Sequence, residues 1–268
     1  MYLSPQPPHG ISRYLVGVSA KINYEWALRQ PGSPPFLLLT EFPRSGGNWI
    51  RDILADVLQM PAPRYSKLPV TFRAIVHSHD HRTTMHPTIY VVRDPRDVFL
   101  SHYHKCVSTV AGGHGGSRKR ALELHPSLRV TPEEVCEEER LHAFYKEWKV
   151  RSIGVKVSWG AHVRRFLTHE GSNVVVIRYE DVHSDPFNTI SNVVTQLTQS
   201  VPPVDLVKFA IWRNSFSMQT GRNAGVAQNT STKRRGIVGA WRDELPATLA
   251  TVITRDFQRA FECAQYNR

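Results

Sequence analysis

Cysteine is scarce in this chain of 268 residues, which contains Cys106, Cys136 and Cys263. The three are far apart, odd in number and without the Cys-x-x-Cys spacing of a structural zinc site or a redox pair. A framework of disulfide bonds is therefore not the basis of the fold. A reducing compartment is the simpler interpretation, and we expect a cytoplasmic protein.

Long hydrophobic runs are also absent. No stretch reaches the roughly 20 apolar residues of a transmembrane helix, and the first thirty residues lack the apolar centre of a signal peptide. We therefore expect no transmembrane segment. Residues Ile11 to Leu28 have the spacing of a mildly amphipathic helix. Residues 1–30 are accordingly predicted to be an N-terminal extension that can form a helix, and residues 31–268 a single domain.

Positive charge is abundant. Lys and Arg number 34 against 23 acidic residues, which gives a formal charge of +11 and a pI of about 9.8. This excess favours acidic ligands such as a phosphorylated nucleotide, a sulfated glycan or an anionic surface. The dense basic runs, Arg118–Arg120 and Lys233–Arg235, are short. They do not form the long basic tail typical of nucleic-acid binding, so no nucleic-acid partner is expected.

A strand, a glycine turn and a helix follow one another near residue 40. Phe36–Leu39 is a continuous apolar run, and helical spacing of apolar residues begins at Trp49. Between them lies Arg44-Ser45-Gly46-Gly47-Asn48. Glycines at a helix N-terminus let backbone N–H groups approach an anion, and Arg44 adds a full positive charge. The pattern predicts a phosphate-binding loop, and the alternative is an ordinary tight turn.

This loop differs from a Walker loop, which has four residues between its glycines and then Lys-Ser or Lys-Thr. Here the glycines are adjacent and Asn48-Trp49 follows. A nucleotide-dependent kinase is therefore a weaker alternative, and a non-enzymatic polyanion-binding protein is a second one.

A second strand enters a helix at Thr88–Val92, which is followed by Arg93-Asp94-Pro95-Arg96-Asp97. Asp94 is a suitable N-cap, Pro95 suits the first helical position, and a carboxylate at Asp97 helps to hold a helix start. Arg93 follows the carboxyl end of the strand, where open α/β sheets bind ligands. Ser101, two turns later, can add a hydroxyl donor to the same anion.

Three histidines follow a shorter strand, Ala74–Val76. His77, His79 and His81 stand at alternate positions, as metal ligands sometimes do, but the chain is leaving the strand there. A single catalytic histidine is the favoured interpretation, with surface histidines on a loop as the alternative. We predict no metal site.

A basic, glycine-containing segment lies near the C-terminus. Arg234-Arg235-Gly236 follows Lys233, and Gly239, Ala240 and Trp241 come shortly after. Arginine side chains and backbone donors of such a segment can close over a phosphate. A solvated basic loop is the alternative.

Four segments occur in the order and with the spacing of a known family. They are Phe42–Trp49, Val92–Val98 with Ser101, Arg178–Asp181, and Arg234–Gly236 followed by Gly239 and Trp241. From about Phe36 to about Phe261 the chain resembles the cytosolic type of sulfotransferase that depends on 3'-phosphoadenosine 5'-phosphosulfate (PAPS). The resemblance implies an α/β fold with a central, mostly parallel sheet flanked by helices and a P-loop-like nucleotide site.

The resemblance also implies a role for each site residue and requires no metal. It places the 5' side of PAPS on Arg44, Ser45, Gly46, Gly47 and Asn48, and adenine against Trp49, Tyr179 and Phe216. The 3'-phosphate is expected at Arg93, Ser101, Arg234, Arg235 and Gly236. His79 matches the general base, and Arg44 is expected to stabilise the departing nucleotide. The implied reaction is in-line transfer of a sulfuryl group to a hydroxyl or amine of a small-molecule acceptor, in a protein that can be a homo-oligomer.

The chain departs from the family pattern at several positions. Arg44 and His77 stand where lysine is common, Gly47 and Asn48 replace a hydroxyl pair, and Ala240 replaces an acidic residue. A guanidinium is a poorer proton donor than an ammonium, so Arg44 is expected to act by its charge. Between Val110 and Leu128, the glycines around His114 and the charges after them predict a mobile loop. Such a loop can cover the acceptor and become ordered when ligand binds, and the alternative is a disordered insertion without a role.

Overall fold

The computed structural model describes residues 10–29, 36–112, 116–130, 134–169, 171, 173–226, 228 and 234–266. They fall into two compact units, each of which is described by itself. The sheet unit comprises Met1–Glu41, Gly46–Val91 and His169–Gly221. The helical unit comprises Phe42–Ser45, Val92–Thr168 and Arg222–Arg268. The single domain expected over residues 31–268 stays a prediction.

The helices are numbered along the whole chain. They are α1 Gly10–Arg29, α2 Gly47–Val57, α3 Pro95–Gly112, α4 Gly116–Leu124, α5 Glu137–Trp148, α6 Trp159–Leu167, α7 Tyr179–Ser184, α8 Pro186–Thr198, α9 Val204–Arg213, α10 Phe216–Thr220, α11 Trp241–Glu244, α12 Ala247–Asp256 and α13 Gln258–Cys263. A 3₁₀ turn spans Pro126–Arg129. Among the described residues, no helix combines the length and the apolar character needed to cross a bilayer.

The sheet unit is built on a four-stranded sheet. Its strands are β1 Phe36–Glu41, β2 Ala74–Ser78, β3 Thr88–Val92 and β4 Val174–Arg178, in the order β2-β1-β3-β4. β1 pairs in parallel with both β2 and β3, and every residue of β1 and β3 is buried. Burial on both faces explains why these strands read as continuous apolar runs. The expected α/β fold with a parallel central sheet is confirmed.

Helices cover this sheet with their apolar faces. α2 buries Ile50, Ile53 and Leu54, the helical repeat seen in the sequence. α1, which covers the helix predicted over Ile11–Leu28, contributes Tyr24 to a core cluster with residues of β1 and β2. The described part of the predicted extension therefore packs on the sheet through Tyr24 and Leu28.

The helical unit has an aromatic core. Trp148 of α5 and Trp159 of α6 are fully buried, and Phe257 contacts both rings edge-on. Phe99 of α3 meets Trp148 at a centroid distance of 5.4 Å. Such edge-to-face contacts fix ring orientations, so α3, α5 and α6 are held at defined positions.

Two sequence predictions are corrected. β2 extends to Ser78, so His77 belongs to the strand and does not follow it. The loop predicted between Val110 and Leu128 is mostly helical, since α3 runs to Gly112 and α4 follows from Gly116. The reason is that Arg, Lys, Ala and Leu after Ser117 are strong helix formers, and Ala121 gains complete burial. Residues 113–115 lie outside the described residues.

Candidate active site

The glycine turn at the start of α2 is shaped by two close approaches. Gly46 has φ of 96°, and a Cβ at this position would collide with the ring of Tyr179. A Cβ on Gly47 would collide with the carboxyl group of Glu41, to which the Gly47 N–H donates a hydrogen bond of 2.5 Å. Only glycine satisfies the first position without strain. The turn thus closes on a carboxylate of β1 that the sequence analysis did not identify.

The residues expected to hold adenine lie close to this turn. Trp49 meets Tyr179 edge-on at a centroid distance of 5.5 Å, and its Nε1 donates to the carbonyl oxygen of Asn214 at 2.9 Å. Asn214 follows α9, and Phe216, which is half-buried, begins α10 two residues later. Asn48 is exposed. The sheet unit therefore brings Trp49 and Tyr179 together, and the Trp49 hydrogen bond ties α2 to the segment that leads into Phe216.

Two histidines surround Glu41 at the end of β2. His77 Nε2 lies 3.2 Å from Glu41 Oε1, and His79 Nδ1 lies 3.2 Å from the Glu41 carbonyl oxygen. Burial alone would raise the pKa of Glu41, but hydrogen bonding to His77, the charges of both histidines and the Gly47 N–H lower it on balance. A proton on Nδ1 donated to the carbonyl leaves the lone pair on Nε2 of His79. The third histidine of this segment, His81, has a side chain that is 42% exposed and lies beside Asp80.

A cavity of ≈ 270 Å³ adjoins these histidines within the sheet unit. Its lining comes from α1, α2, β2 and the segment between the last two: Val16, Ser19, Ala20, Asn23, Asn48, Arg51, Pro63, Arg64, Tyr65, Ser66, Val70, Val76, His77 and His79. Ser19 is 2% exposed, and its Oγ has no hydrogen-bond partner. Asp52 forms ion pairs with Arg51 and Arg64, so this part of the lining has one excess positive charge. Sequence reasoning assigned no role to α1, because nothing in its helical pattern indicates that it lines a cavity.

Arg44 and Ser45 belong to the helical unit. Arg44 has φ of 80°, and its Nε donates to Oγ of Ser101 on α3 at 3.1 Å. Ser45 is fully buried, and its Oγ has no hydrogen-bond partner. A positive φ in a non-glycine residue costs free energy and is typical of functional turns. Arg44, which was expected at the 5' side of the donor, and Ser101, which was expected at its 3'-phosphate, are thus in direct contact.

Arg93 is held at the start of α3. Its guanidinium lies 3.4 Å from the carbonyl oxygen of Ile237 and 3.6 Å from the Asp97 carboxylate. Asp97 accepts hydrogen bonds from the N–H groups of Gly239, at 2.7 Å, and Trp241, at 3.1 Å. Asp97 is the acidic residue in the first turn of α3, where it was expected, and its carboxylate also fixes the late glycine segment. The Gly239 N–H is a buried donor, and Asp97, 142 positions away in the sequence, satisfies it.

Asp94 does serve the helix start as predicted. Its Oδ1 accepts a hydrogen bond of 2.8 Å from the backbone N–H of Arg96. Arg96 also forms an ion pair with Asp94 and lies 3.7 Å from the centre of the Trp241 ring. The first turn of α3 thus holds the late segment by a cation–π contact as well.

Arg234 and Arg235 converge on one carboxylate. Both donate to Glu244 Oε1, at 2.6 and 2.7 Å, and His104 of α3 lies 2.9 Å from Oε2. Burial alone would raise the pKa of Glu244, but hydrogen bonds from His104, Arg234 and Arg235 lower it to about 2. Gly236 follows with φ of 64°. Sequence reasoning missed Glu244, although an acid nine residues after a basic pair is a signal that could have been used.

The predicted arginines are gathered along one helix. Arg44 contacts α3 at Ser101, and Arg93 contacts it at Asp97. Arg234 and Arg235 bind the Glu244 carboxylate, which also pairs with His104 of α3. These contacts all lie in the helical unit. Lys233 lies outside the described residues. The phosphate-binding interpretation requires that these arginines lie near one another, and along α3 they do.

Three comparisons with known proteins agree. Residues 81–264 match the sequence model of the sulfotransferase domain family. Sulfotransferase 2A1 of Mus musculus is 23% identical over 260 residues, which cover 83% of this chain and 82% of the relative. The 3-alpha-hydroxysteroid sulfotransferase of Cavia porcellus is 22% identical over 256 residues, covering 81% of this chain and 80% of the relative.

Solved structures give the same result for the fold. Mouse sulfotransferase SULT7A1 complexed with PAP, adenosine 3',5'-bisphosphate, aligns with a TM-score of 0.57 at 19% identity, over 95% of this chain and 90% of that chain. Retinol dehydratase in complex with androsterone and PAP aligns with a TM-score of 0.60 at 13% identity, over 91% of this chain and 85% of that chain. At these identities the likeness establishes a shared fold.

Proposed function

This chain belongs to the sulfotransferase domain family, and on that premise we propose that it transfers the sulfuryl group of PAPS to a hydroxyl or amine of a small-molecule acceptor. The observation that carries the proposal is the gathering of Arg44, Arg93, Arg234 and Arg235 along α3. Four fixed positive charges in one region favour a ligand with several negative charges, and guanidinium groups bind phosphate in bidentate fashion.

We assign the 3'-phosphate of the donor to the helical unit. Arg93, Ser101, Arg234, Arg235 and the backbone of Gly236 are its proposed ligands. Arg234 and Arg235 already hold an anionic oxygen of Glu244 at hydrogen-bond distance, which supports their use for a phosphate. Arg44 and the unpartnered Oγ of Ser45 are assigned to the 5' side. That SULT7A1 and retinol dehydratase were solved with PAP supports the choice of donor.

In the sheet unit, we assign adenine to Trp49, Tyr179 and Phe216, and the rest of the 5' contacts to Gly46, Gly47 and Asn48. Trp49 and Tyr179 are already in edge-to-face contact, so a purine meets a preformed aromatic surface. The Gly47 N–H donates to Glu41. A phosphate that recruits this donor must therefore replace that hydrogen bond.

The proposed reaction uses His79 as general base. Its Nε2 accepts the acceptor's proton while the acceptor oxygen or nitrogen forms a bond to sulfur. The bond between sulfur and the bridging phosphate oxygen breaks, and PAP leaves with that electron pair. Arg44 stabilises the charge that develops on the departing oxygen. An imidazole with an unperturbed pKa of ~6.5 suits proton removal at neutral pH.

The acceptor is proposed to occupy the cavity beside His79. Its volume of ≈ 270 Å³ lies near the lower end of the range for small-molecule sites, so a small acceptor is expected. Ser19 and Asn23 are the polar residues that α1 adds to the lining. A cytoplasmic location is part of the proposal and is supported by three free cysteines. The homo-oligomer stays a prediction.

Thermal unfolding with PAP, AMP and ATP tests the donor. PAP at 100 times its Kd should stabilise the protein by ~2.7 kcal/mol, because a ligand of the folded state shifts unfolding by mass action. AMP, which lacks the 3'-phosphate, should give a much smaller shift. Magnesium-dependent stabilisation by ATP alone, or an equal response to AMP, would overturn the proposal and favour a kinase. Release of PAP that requires an added acceptor then tests transfer.

A further inference from the structure

A cluster of two histidines and a cysteine lies in the helical unit. His102 and Cys106 are four residues apart on α3 and share one face, and His125 follows α4. One ring nitrogen of each histidine and the Cys106 Sγ all lie within 4.8 Å of one another. All three residues are buried, at 3% exposure or less. Sequence spacing did not indicate this site, because His125 joins it only through the fold.

His125 has an unusual environment for a polar side chain. Both of its ring nitrogens are buried, and neither has a hydrogen-bond partner. The ring packs on Phe144 at a centroid distance of 4.3 Å. An unsatisfied buried polar group costs about 1–3 kcal/mol, so a purely structural role would favour an apolar ring at this position. The two nitrogens therefore point to a ligand.

Polar groups stand beside both imidazoles. Ser152 Oγ lies 3.2 and 3.3 Å from the nitrogens of His102. The carboxylate of Glu147 lies 3.7 Å from Nδ1 of His125, an ion-pair distance that is too long for a hydrogen bond, and it is itself held by the N–H and hydroxyl of Ser127. A histidine that binds a metal with one nitrogen usually donates its other N–H to a carboxylate, so a small shift of the His125 ring gives this arrangement and leaves its Nε2 for the ion.

The geometry points to a binding site for one zinc-like transition-metal ion, with His102, Cys106 and His125 as ligands. Two imidazoles and a thiolate form a donor set that prefers Zn²⁺ or Co²⁺ over Mg²⁺ or Ca²⁺. Ligands at about 2.0–2.3 Å from a tetrahedral ion are roughly 3.3–3.8 Å apart, so small side-chain adjustments suffice. Ser152 Oγ or a water completes the coordination. The bound ion links α3 to the turn after α4.

Binding of the ion changes the protonation of the cluster. Each imidazole binds through a neutral ring nitrogen, and the Cys106 thiol releases its proton to solvent when it binds the ion as a thiolate. The positive charges of Arg44, Lys105 and Arg151 disfavour a cation at this cluster. The negative charges of Glu147 and of the thiolate that forms on binding offset this repulsion.

A second group, Glu41, His77 and His79, has comparable spacing in the described part of the chain. Its carboxylate oxygens already accept from Gly47 N–H or pair with His77. Its carboxylate and one nitrogen of each histidine therefore already have hydrogen-bond partners, whereas neither nitrogen of His125 has one. The inference concerns the cluster on α3 alone and is independent of the proposed transfer reaction.

Cobalt titration of metal-free protein tests the site. Chelator-treated full-length protein should bind one equivalent of Co²⁺ and develop a thiolate-to-cobalt charge-transfer band, which Zn²⁺ then abolishes by competition. Zn²⁺ should raise the Tm of the same protein. Wild-type protein that shows neither the band nor saturable binding of one equivalent would overturn the proposal, whether or not any variant folds.

Variants locate the ligands. Cys106→Ser should lose the charge-transfer band, whereas Cys136→Ser and Cys263→Ser, which change exposed cysteines of the same unit, should keep it. Glu147→Gln should weaken metal binding roughly 10–100-fold, the usual effect of losing a group that orients a ligand. Equal Co²⁺ spectra for Cys106→Ser and wild type would refute the assignment.

Discussion

The residues proposed to bind ligand differ in their chemistry between the two units. In the sheet unit they are backbone N–H groups, aromatic rings and two histidines around Glu41. In the helical unit they are arginines around α3. Each group contains an internal carboxylate: Glu41 accepts from Gly47, and Glu244 accepts from Arg234 and Arg235. Protein anions thus occupy donors that are proposed to bind ligand anions.

The difference lies in how the charges respond to conditions. Imidazoles titrate near neutral pH, whereas guanidinium groups stay charged at every physiological pH. We therefore expect pH to act on transfer chiefly through the sheet unit, and salt to act on donor binding chiefly through the helical unit. The following variants test this contrast.

Replacement of His79 should have the largest effect. His79→Ala removes the proposed base, and loss of general-base catalysis typically lowers the rate by ~10²–10⁴-fold. The measurement is kcat for transfer at saturating donor, as a function of pH. PAP affinity should change little, because His79 has no proposed contact with the donor.

His81→Ala is the matched control, since this histidine lies two residues away and is 42% exposed. It should retain kcat. A rate for His79→Ala within threefold of wild type, with the same pH dependence, would show that the base lies elsewhere. The expectation that pH acts on transfer chiefly through the sheet unit would then be wrong.

Replacement of an arginine should have the second-largest effect. Arg235→Ala removes one charge-assisted contact to the 3'-phosphate, worth about 1.5–3 kcal/mol, or roughly 10–150-fold in PAP affinity. Salt dependence of PAP binding should also become weaker in this variant. Isothermal titration at two ionic strengths measures both quantities.

The comparison variant is Trp49→Ala in the sheet unit. Loss of base stacking should cost about 1–3 kcal/mol and leave the salt dependence unchanged. If both variants lost salt dependence equally, or if Arg235→Ala bound PAP normally, the division between charge and stacking would be wrong.

Local sequence patterns predicted the elements around the sites. β1, β3 and α2 were found because buried parallel strands are continuous apolar runs and an amphipathic helix repeats every 3.6 residues. The family resemblance, which rests on segments at the ends of these elements, is confirmed. α4 was missed because flanking glycines were given more weight than helix propensity and the burial of Ala121.

Contacts between residues that are far apart in the chain could not be predicted from the sequence. Asp97 binds N–H groups more than 140 positions away, and local capping rules suggested a different use for the same carboxylate. Glu41 looked like the last residue of a strand, and α1 gave no sign that Ser19 faces a cavity. Such roles arise from tertiary packing, which a single sequence without an alignment does not reveal.

The glycine turn predicts a change in stability that can be measured without ligand. Gly46→Ala places a methyl group against the Tyr179 ring at a φ of 96°, which should destabilise the protein by about 1–3 kcal/mol. Urea unfolding measures the difference. Gly17→Ala is the control, because the position lies inside α1 with open space around it and should gain about 0.5–1 kcal/mol. Equal stability of Gly46→Ala and wild type would show that the turn is not constrained by Tyr179.

The smallest expected effect concerns acid stability of the helical unit. The folded-state pKa of Glu244 is depressed to about 2 from 4.5, so its stabilising contribution is present above pH 4.5 and is lost as pH falls towards 2. Solvent screening reduces that contribution to about 1 kcal/mol. Glu244→Gln should therefore be less stable than wild type at neutral pH, and the difference should shrink between pH 4.5 and 2. Urea unfolding at several pH values measures this difference in stability. Glu139→Gln, which changes an exposed glutamate, is the control. If the stability difference between Glu244→Gln and wild type stayed constant with pH, Arg234 and Arg235 would not hold this carboxylate in solution.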